Sequence, residues 1–406
     1  MDLAGYWSGP WPAEDAGPRR TATVARGLAL RPGERLVAAA SADVLGGVMP
    51  ILRTPDELFV LVQALGNPQA QVLLLDPETL APRAPARDLD AGPWWPGGIA
   101  AHANGDVYVT CGRWCHRLGP DLSLRASREL PQDRPYNSFV VLPDGCLVMK
   151  DLVRDGSPSR LMVLEPERLG PVAPETAVPE GSIARLGADA ATVYVVGDHT
   201  AFRFHWDAAA GRLRLDDAWR VPYRQFTDQS FGWDPVVAGG QVWFMDNGDH
   251  RYAGTMRDAG VAEGPLHLVR AAVDSGDFEL VPVCGVPRGA ITNPPLYDPA
   301  RRIAIAFDSA NAVLAAFRFA DRLEPLWSQP LDVASHLVLG ADTGELVVND
   351  HRDGEDHVVV VDVETGAERG RVATGSPVQS VVFPAMGARR DLYYCSFARL
   401  VRVGVG

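Results

Sequence analysis

Acids, amides and imidazoles gather at the ends of short apolar runs in this chain. Lys150-Asp151 closes CLVMKD, Asp198-His199 follows TVYVVG, Asp246-Asn247 follows QVWFM, Asp308 closes RIAIAFD and Asn349-Asp350-His351 follows ELVV. A second set, Asn137, Asp234, Asn293, His336 and Gln379, stands where an apolar run begins. Imidazole exchanges its proton near neutral pH, and imidazole with carboxylate can move a proton or hold a divalent cation. Lys150 is the only lysine of a chain with 38 basic residues, which invites a role arginine cannot fill: proton donor, base or Schiff-base amine. His336, Asp234, His351 and Lys150 are therefore the catalytic candidates. Asn137, Trp233, Asn293, Gln379 and Trp95 are candidates for placing a substrate, and His199, His250, His336 and His351 for holding a metal. The competing explanation is local: Asp and Asn end strands because their side chains cap turns. Segments 246–250 (DNGDH) and 349–357 (NDHRDGEDH) are rich in oxygen donors, yet neither keeps the spacing of a D-x-D-x-D-G calcium loop.

The elements that must position these residues are strands. Helix-period stripes with caps are nearly absent, and short β-branched runs alternate with Gly, Asp, Asn and Pro. One unit recurs at a spacing of about 40 to 60 residues, the range of propeller blades. Its clearest copy reads NSFVVL (137–142), Pro143-Asp144-Gly145, CLVMKD (146–151) and RLMVL (160–164), with a fourth strand near 172–178. GGIAAH, Ala103-Asn104-Gly105, DVYVTC and WCHRLG form another copy; SHLVLG, Asp342-Thr343-Gly344, ELVVND, HVVVVD and ERGRVA form a third. Asn-Gly and Asp-Gly between alternating strands mark hairpins, because both residues tolerate positive φ. Less regular copies start near Gly47, Ser182, Trp233, Thr292 and Gln379, giving eight starts; a seven-bladed ring is the alternative count. The last copy has three strands, and TATVARG or RLVAAAS near the N-terminus is expected to supply the missing one, closing the ring and removing its exposed edges. The expected architecture is an all-β, single β-propeller domain over 1–406, with 1–22 as a Pro-, Gly- and Trp-rich extension.

Three turns add a resemblance. LLLDPETLAP (73–82), MVLEPERLGP (162–171) and VVVVDVETGAERGRV (358–372) are similar to the D-x-x-T-G repeats of the PQQ-like and YVTN-type bacterial β-propeller superfamily. The likeness covers three of the eight copies and implies the fold. The quinoproteins of that class are exported and often carry an adjacent cysteine pair. Here Cys111, Cys115, Cys146, Cys284 and Cys395 are scattered, so PQQ is not expected.

Blade topology turns the repeat into a map. The start of the innermost strand, the end of the second and the start of the third share one rim, so the acids, amides, Lys150 and five or six of the nine histidines fall on that rim. Trp94, Trp95, Tyr136, Phe231 and Trp233 fall there too, and segment 6–18 is a candidate cap over it. A net charge of −13 argues against nucleic acid as partner, and no apolar run is long enough to span a membrane. The start MDLAGYWSGPWPAED shows neither a basic n-region nor an apolar h-region, which predicts a cytoplasmic protein with reduced thiols. The expected function is an enzyme acting on a small organic metabolite in the funnel by lyase, cyclase or isomerase chemistry, with a divalent metal possible. The alternatives are a non-catalytic propeller binding a protein or ligand, and a quinoprotein-type oxidoreductase.

Overall fold

The computed structural model describes residues 3–406, and its regular structure is almost all strand. Each repeat folds as an antiparallel sheet because its hairpin residues permit the reversal. Gly105 (φ 90°), Gly145 (φ 86°) and Gly344 (φ 66°) take the left-handed turn positions between first and second strands. The result is eight sheets: blade 1 over Gly47–Asp90, blade 2 over Gly98–Glu129, blade 3 over Tyr136–Ala177 and blade 4 over Gly187–Val221. Blade 5 spans Val236–Pro282, blade 6 Leu296–Gln329 and blade 7 Val338–Ser376. Blade 8 combines Ala385–Met386, Asp391–Cys395 and Arg399–Val405 with Leu36–Asp43. The count is eight, and the fold is a β-propeller.

Closure uses one of the two expected segments in the expected way. Leu36–Asp43 pairs antiparallel with Arg399–Val405 as the outer strand of blade 8. The other segment, Thr23–Val24, lies at the opposite side of a blade: it pairs parallel with Val338–Gly340, the innermost strand of blade 7. The last blade, which has three strands of its own, is thereby completed by a segment from the start of the chain.

The D-x-x-T turns are held by their own carboxylates. Asp76 Oδ1 accepts from the N–H groups of Glu78 (3.0 Å) and Thr79 (2.9 Å), and Asp362 Oδ1 accepts from Glu364 (2.9 Å) and Thr365 (2.9 Å). Arg83 and Arg369, each seven residues on, bind the second oxygen. These residues shape the turn and face solvent, so the motif belongs to the fold.

Two expectations are corrected. Segment 349–357 is not a ligand-bearing loop: Glu345–Arg352 and Glu355–Asp362 are paired strands, joined by Asp353 (φ 55°) and Gly354 (φ 77°) in a two-residue turn. Segment 6–18 caps the opposite face. It runs across the far ends of the inner strands, where Tyr6 bridges His102, Trp11 bridges Leu52 and Ala13 bridges Ala100. Beyond it, the N–H groups of Ala188, Val237 and Leu339 donate to Pro18, Arg19 and Ala22. The inner strands carry free N–H groups there, and an extended strap satisfies them better than a rim contact would.

Candidate functional site: a sealed channel beneath an aromatic mouth

The strap does more than cover the far face. Asp15 (φ 50°), Ala16 (φ 66°) and Arg20 (φ 55°) hold left-handed conformations that L-residues avoid at a cost of about 1 kcal/mol each, so packing must fix this bend. The bend carries Glu14, Asp15 and Arg20 into the channel, all buried. Arg20 meets Glu14 Oε1 (2.5 Å), Asp15 Oδ2 (2.6 Å) and Asp234 Oδ2 (2.9 Å). Asp234 Oδ1 accepts the Arg185 N–H at 2.7 Å, while the Arg185 guanidinium crosses to Glu14 Oε2 (2.7 Å) and the carbonyls of Pro96 (2.7 Å) and Gly97 (2.9 Å). His336 Nδ1 lies 2.7 Å from Asp15 Oδ1, and its ring packs 4.2 Å from Phe383, which also receives the Arg185 guanidinium at 4.4 Å. Burial opposes ionisation of Asp15, but His336, Arg20 and Arg185 around it hold its pKa below the usual carboxylate value. Two of the catalytic candidates, His336 and Asp234, are thus brought together, and the strap supplies their partners.

Lys150 stands apart from them. It is fully buried, its Nζ donates to the carbonyls of Asp151 (3.0 Å) and Ser182 (2.9 Å), and burial lowers its pKa to about 8. Those bonds tie blade 3 to the segment entering blade 4. Gln379 is likewise committed: its Nε2 donates to Asp332 and its Oε1 accepts from Met256 N (2.6 Å). Asn293 Nδ2 donates to the carbonyls of Ala334 and Val381, and Asn137 Nδ2 to Ile183 O (2.8 Å). Asn137 Oδ1 and His336 Nε2 have no partner although buried.

The metal candidates do not converge. His199 is exposed beside Arg224, His351 binds Pro377 O (3.3 Å) between blades 7 and 8, and His250 binds Gly248 O (2.8 Å). No group of three His, Cys, Asp or Glu side chains suited to a metal exists among the described residues. His351 lies on the strand Glu345–Arg352, whose pairing with Glu355–Asp362 sets its direction.

The rim itself is aromatic. Trp95 stacks on Trp233 at 6.4 Å with 21° between planes, and Trp94 meets Trp95 (6.4 Å) and Phe397 (6.3 Å). Tyr252 packs on Phe397 (5.8 Å), and His250 on Trp233 (6.1 Å). Burial, with Arg154 nearby, lowers the His250 pKa. The exposed Arg154 guanidinium stands 5.5 Å from the Trp95 ring. Trp94, Trp95, Tyr252 and Phe397 remain half-buried, so this layer closes the channel below while presenting ring surface above.

Glu14, Asp15, Arg20 and Arg185 were not legible as site residues from the chain. For the first three, the one signal was the pairing of Glu14-Asp15 with Arg19-Arg20 in so short a segment.

No family model and no curated protein matches the chain. Solved structures do. The Dos1 propeller superposes with a TM-score of 0.61 at 8% identity, over 94% of this chain and 96% of that one. BamB from Moraxella catarrhalis gives 0.54 at 14% identity, over 91% and 99%. Dihydro-heme d1 dehydrogenase NirN, in complex with DHE, gives 0.54 at 16% identity, over 84% of this chain and 68% of that one. The likeness is one of fold, in keeping with the PQQ-like and YVTN-type propeller resemblance of the turns at 73–82, 162–171 and 358–372. The quinone that this class implies does not fit here: Glu14, Asp15, Arg20, Arg185 and Phe383 fill the channel centre where a funnel-bound group would lie.

Proposed function

We propose that this chain is a binding propeller that takes a flat organic anion at its aromatic mouth. The observation that carries this reading is the half-buried Trp95, stacked on Trp233 and set beside the exposed Arg154 guanidinium. An aromatic platform supplies apolar area and stacking, and one solvent-facing guanidinium selects for a carboxylate or similar anion. The polar residues below support binding by holding the mouth rather than by touching the ligand. Calorimetric titration with 2-naphthoate tests the reading. Trp95→Ala and Arg154→Ala should each weaken binding at least tenfold; equal affinity in all three proteins would remove the mouth as the site.

A second reading, an acid–base enzyme acting on a small metabolite, is favoured by the His336–Asp15 pair at 2.7 Å with His336 Nε2 unpartnered. An imidazole oriented by a carboxylate through one nitrogen is the arrangement of a general base. It requires that molecules reach Nε2. Diethyl pyrocarbonate modification of His336 in the folded protein would support this reading, and full protection would exclude it.

A further inference from the structure

On the far face the strap leaves a cavity against blades 5 and 6. In blades 4, 5 and 7 the middle residue of the inner strand, Ala188, Val237 and Leu339, donates its N–H to a strap carbonyl. Tyr297 holds the same register position in blade 6, between Leu296 and Asp298, and no strap carbonyl meets its N–H among the described residues. The strap spans this blade with Arg20 and Thr21, and there a cavity of about 220 Å³ opens. Its walls are Val237, Ala238, Gly239, Tyr297 and Pro299 on the ring, and Leu3 with Ala16–Thr21 and Thr23 on the strap. Arg20 lines it while 2% exposed, and Nε is the one nitrogen of that guanidinium without an acceptor.

We infer that this cavity is a binding site for a small, uncharged, mainly apolar molecule bearing one hydrogen-bond acceptor. The volume falls below the roughly 300–1,000 Å³ of drug-sized pockets, so the occupant is of fragment size. The apolar walls take its carbon skeleton, and Arg20 Nε, buried without an acceptor, is the donor left to meet its polar atom. Charge decides against an anion. The rest of the Arg20 guanidinium already faces Glu14, Asp15 and Asp234, so a carboxylate entering beside it would meet three others. The site lies on the face opposite the aromatic mouth and is independent of binding there.

Cyclohexanone is the probe and cyclohexanecarboxylate the control, followed through backbone amide resonances of the full chain. Cyclohexanone should shift the Tyr297 and Val237 amides in a saturable manner, with the carboxylate at least tenfold weaker. Ala238→Phe, a change at a half-buried wall residue that fills the space without touching the ion cluster, should abolish those shifts while leaving the rest of the spectrum in place. Absence of shifts at saturating cyclohexanone, a carboxylate that binds as well, or unchanged binding in Ala238→Phe would each overturn the assignment.

Discussion

Lys150 Nζ sits between the carbonyls of Asp151 and Ser182, and burial lowers its pKa from 10.5 to about 8. In the unfolded chain the amine keeps its proton to higher pH. Between about pH 8 and 10.5 the unfolded state therefore binds more protons, and the contribution of this group to stability rises with pH across that window. Falling pH removes that contribution as it passes through 8. The Tm advantage of the wild type over Lys150→Met should accordingly be larger at pH 9.5 than at pH 7; a pH-independent difference would refute the burial account. The residue also shows what a sequence can signal. Its singularity among arginines drew attention to it, and the structure places its ammonium, without exposure, on two backbone carbonyls. Gln379 and Asn293 followed the same course. Residue type and strand end were readable, whereas the partners, contributed by other blades, were not.

At the scale of elements the strands and turns were the legible part. Asn104-Gly105 and Asp144-Gly145 predicted hairpins from local backbone preference alone, and the carboxylates of Asp76 and Asp362 bind N–H groups two and three residues on. The strap was illegible because its bonds span the chain: Asp15 meets His336 and Arg20 meets Asp234. Its direction across the far face depends on which inner-strand N–H groups the ring leaves unpaired, and that is known only once the ring is built. The strap's hold on the channel yields a stability prediction. Removing one partner from a buried ion cluster leaves the others uncompensated at a cost of about 3–5 kcal/mol. Arg20→Met strands Glu14, Asp15 and Asp234, so the unfolding free energy from its urea titration should fall by an amount in that range. The conservative Asp234→Asn, which retains an acceptor for the Arg185 N–H, should cost less. Equal and small effects would mean that the cluster is not holding the strap.

For the whole molecule, eight blades closed by Leu36–Asp43 set two faces with different fates. One inner end is covered by the strap, the middle is filled by paired charges, and the other end carries rings. Orientation of the ring was deducible from strand order, and Trp94, Trp95, Phe397 and Tyr252 meet at one end of it. What strand order does not contain is depth: whether a side chain at the rim looks outward, like Trp95, or is drawn down into the channel, like His336. That difference separates a ligand-binding mouth from a catalytic funnel. The decisive measurement is one titration of 2-naphthoate into the wild type, Trp95→Ala and His336→Gln under identical conditions. Binding at the mouth predicts at least tenfold weaker affinity for Trp95→Ala and wild-type affinity for His336→Gln; the reverse pattern, loss at His336 with Trp95→Ala unaffected, would contradict it.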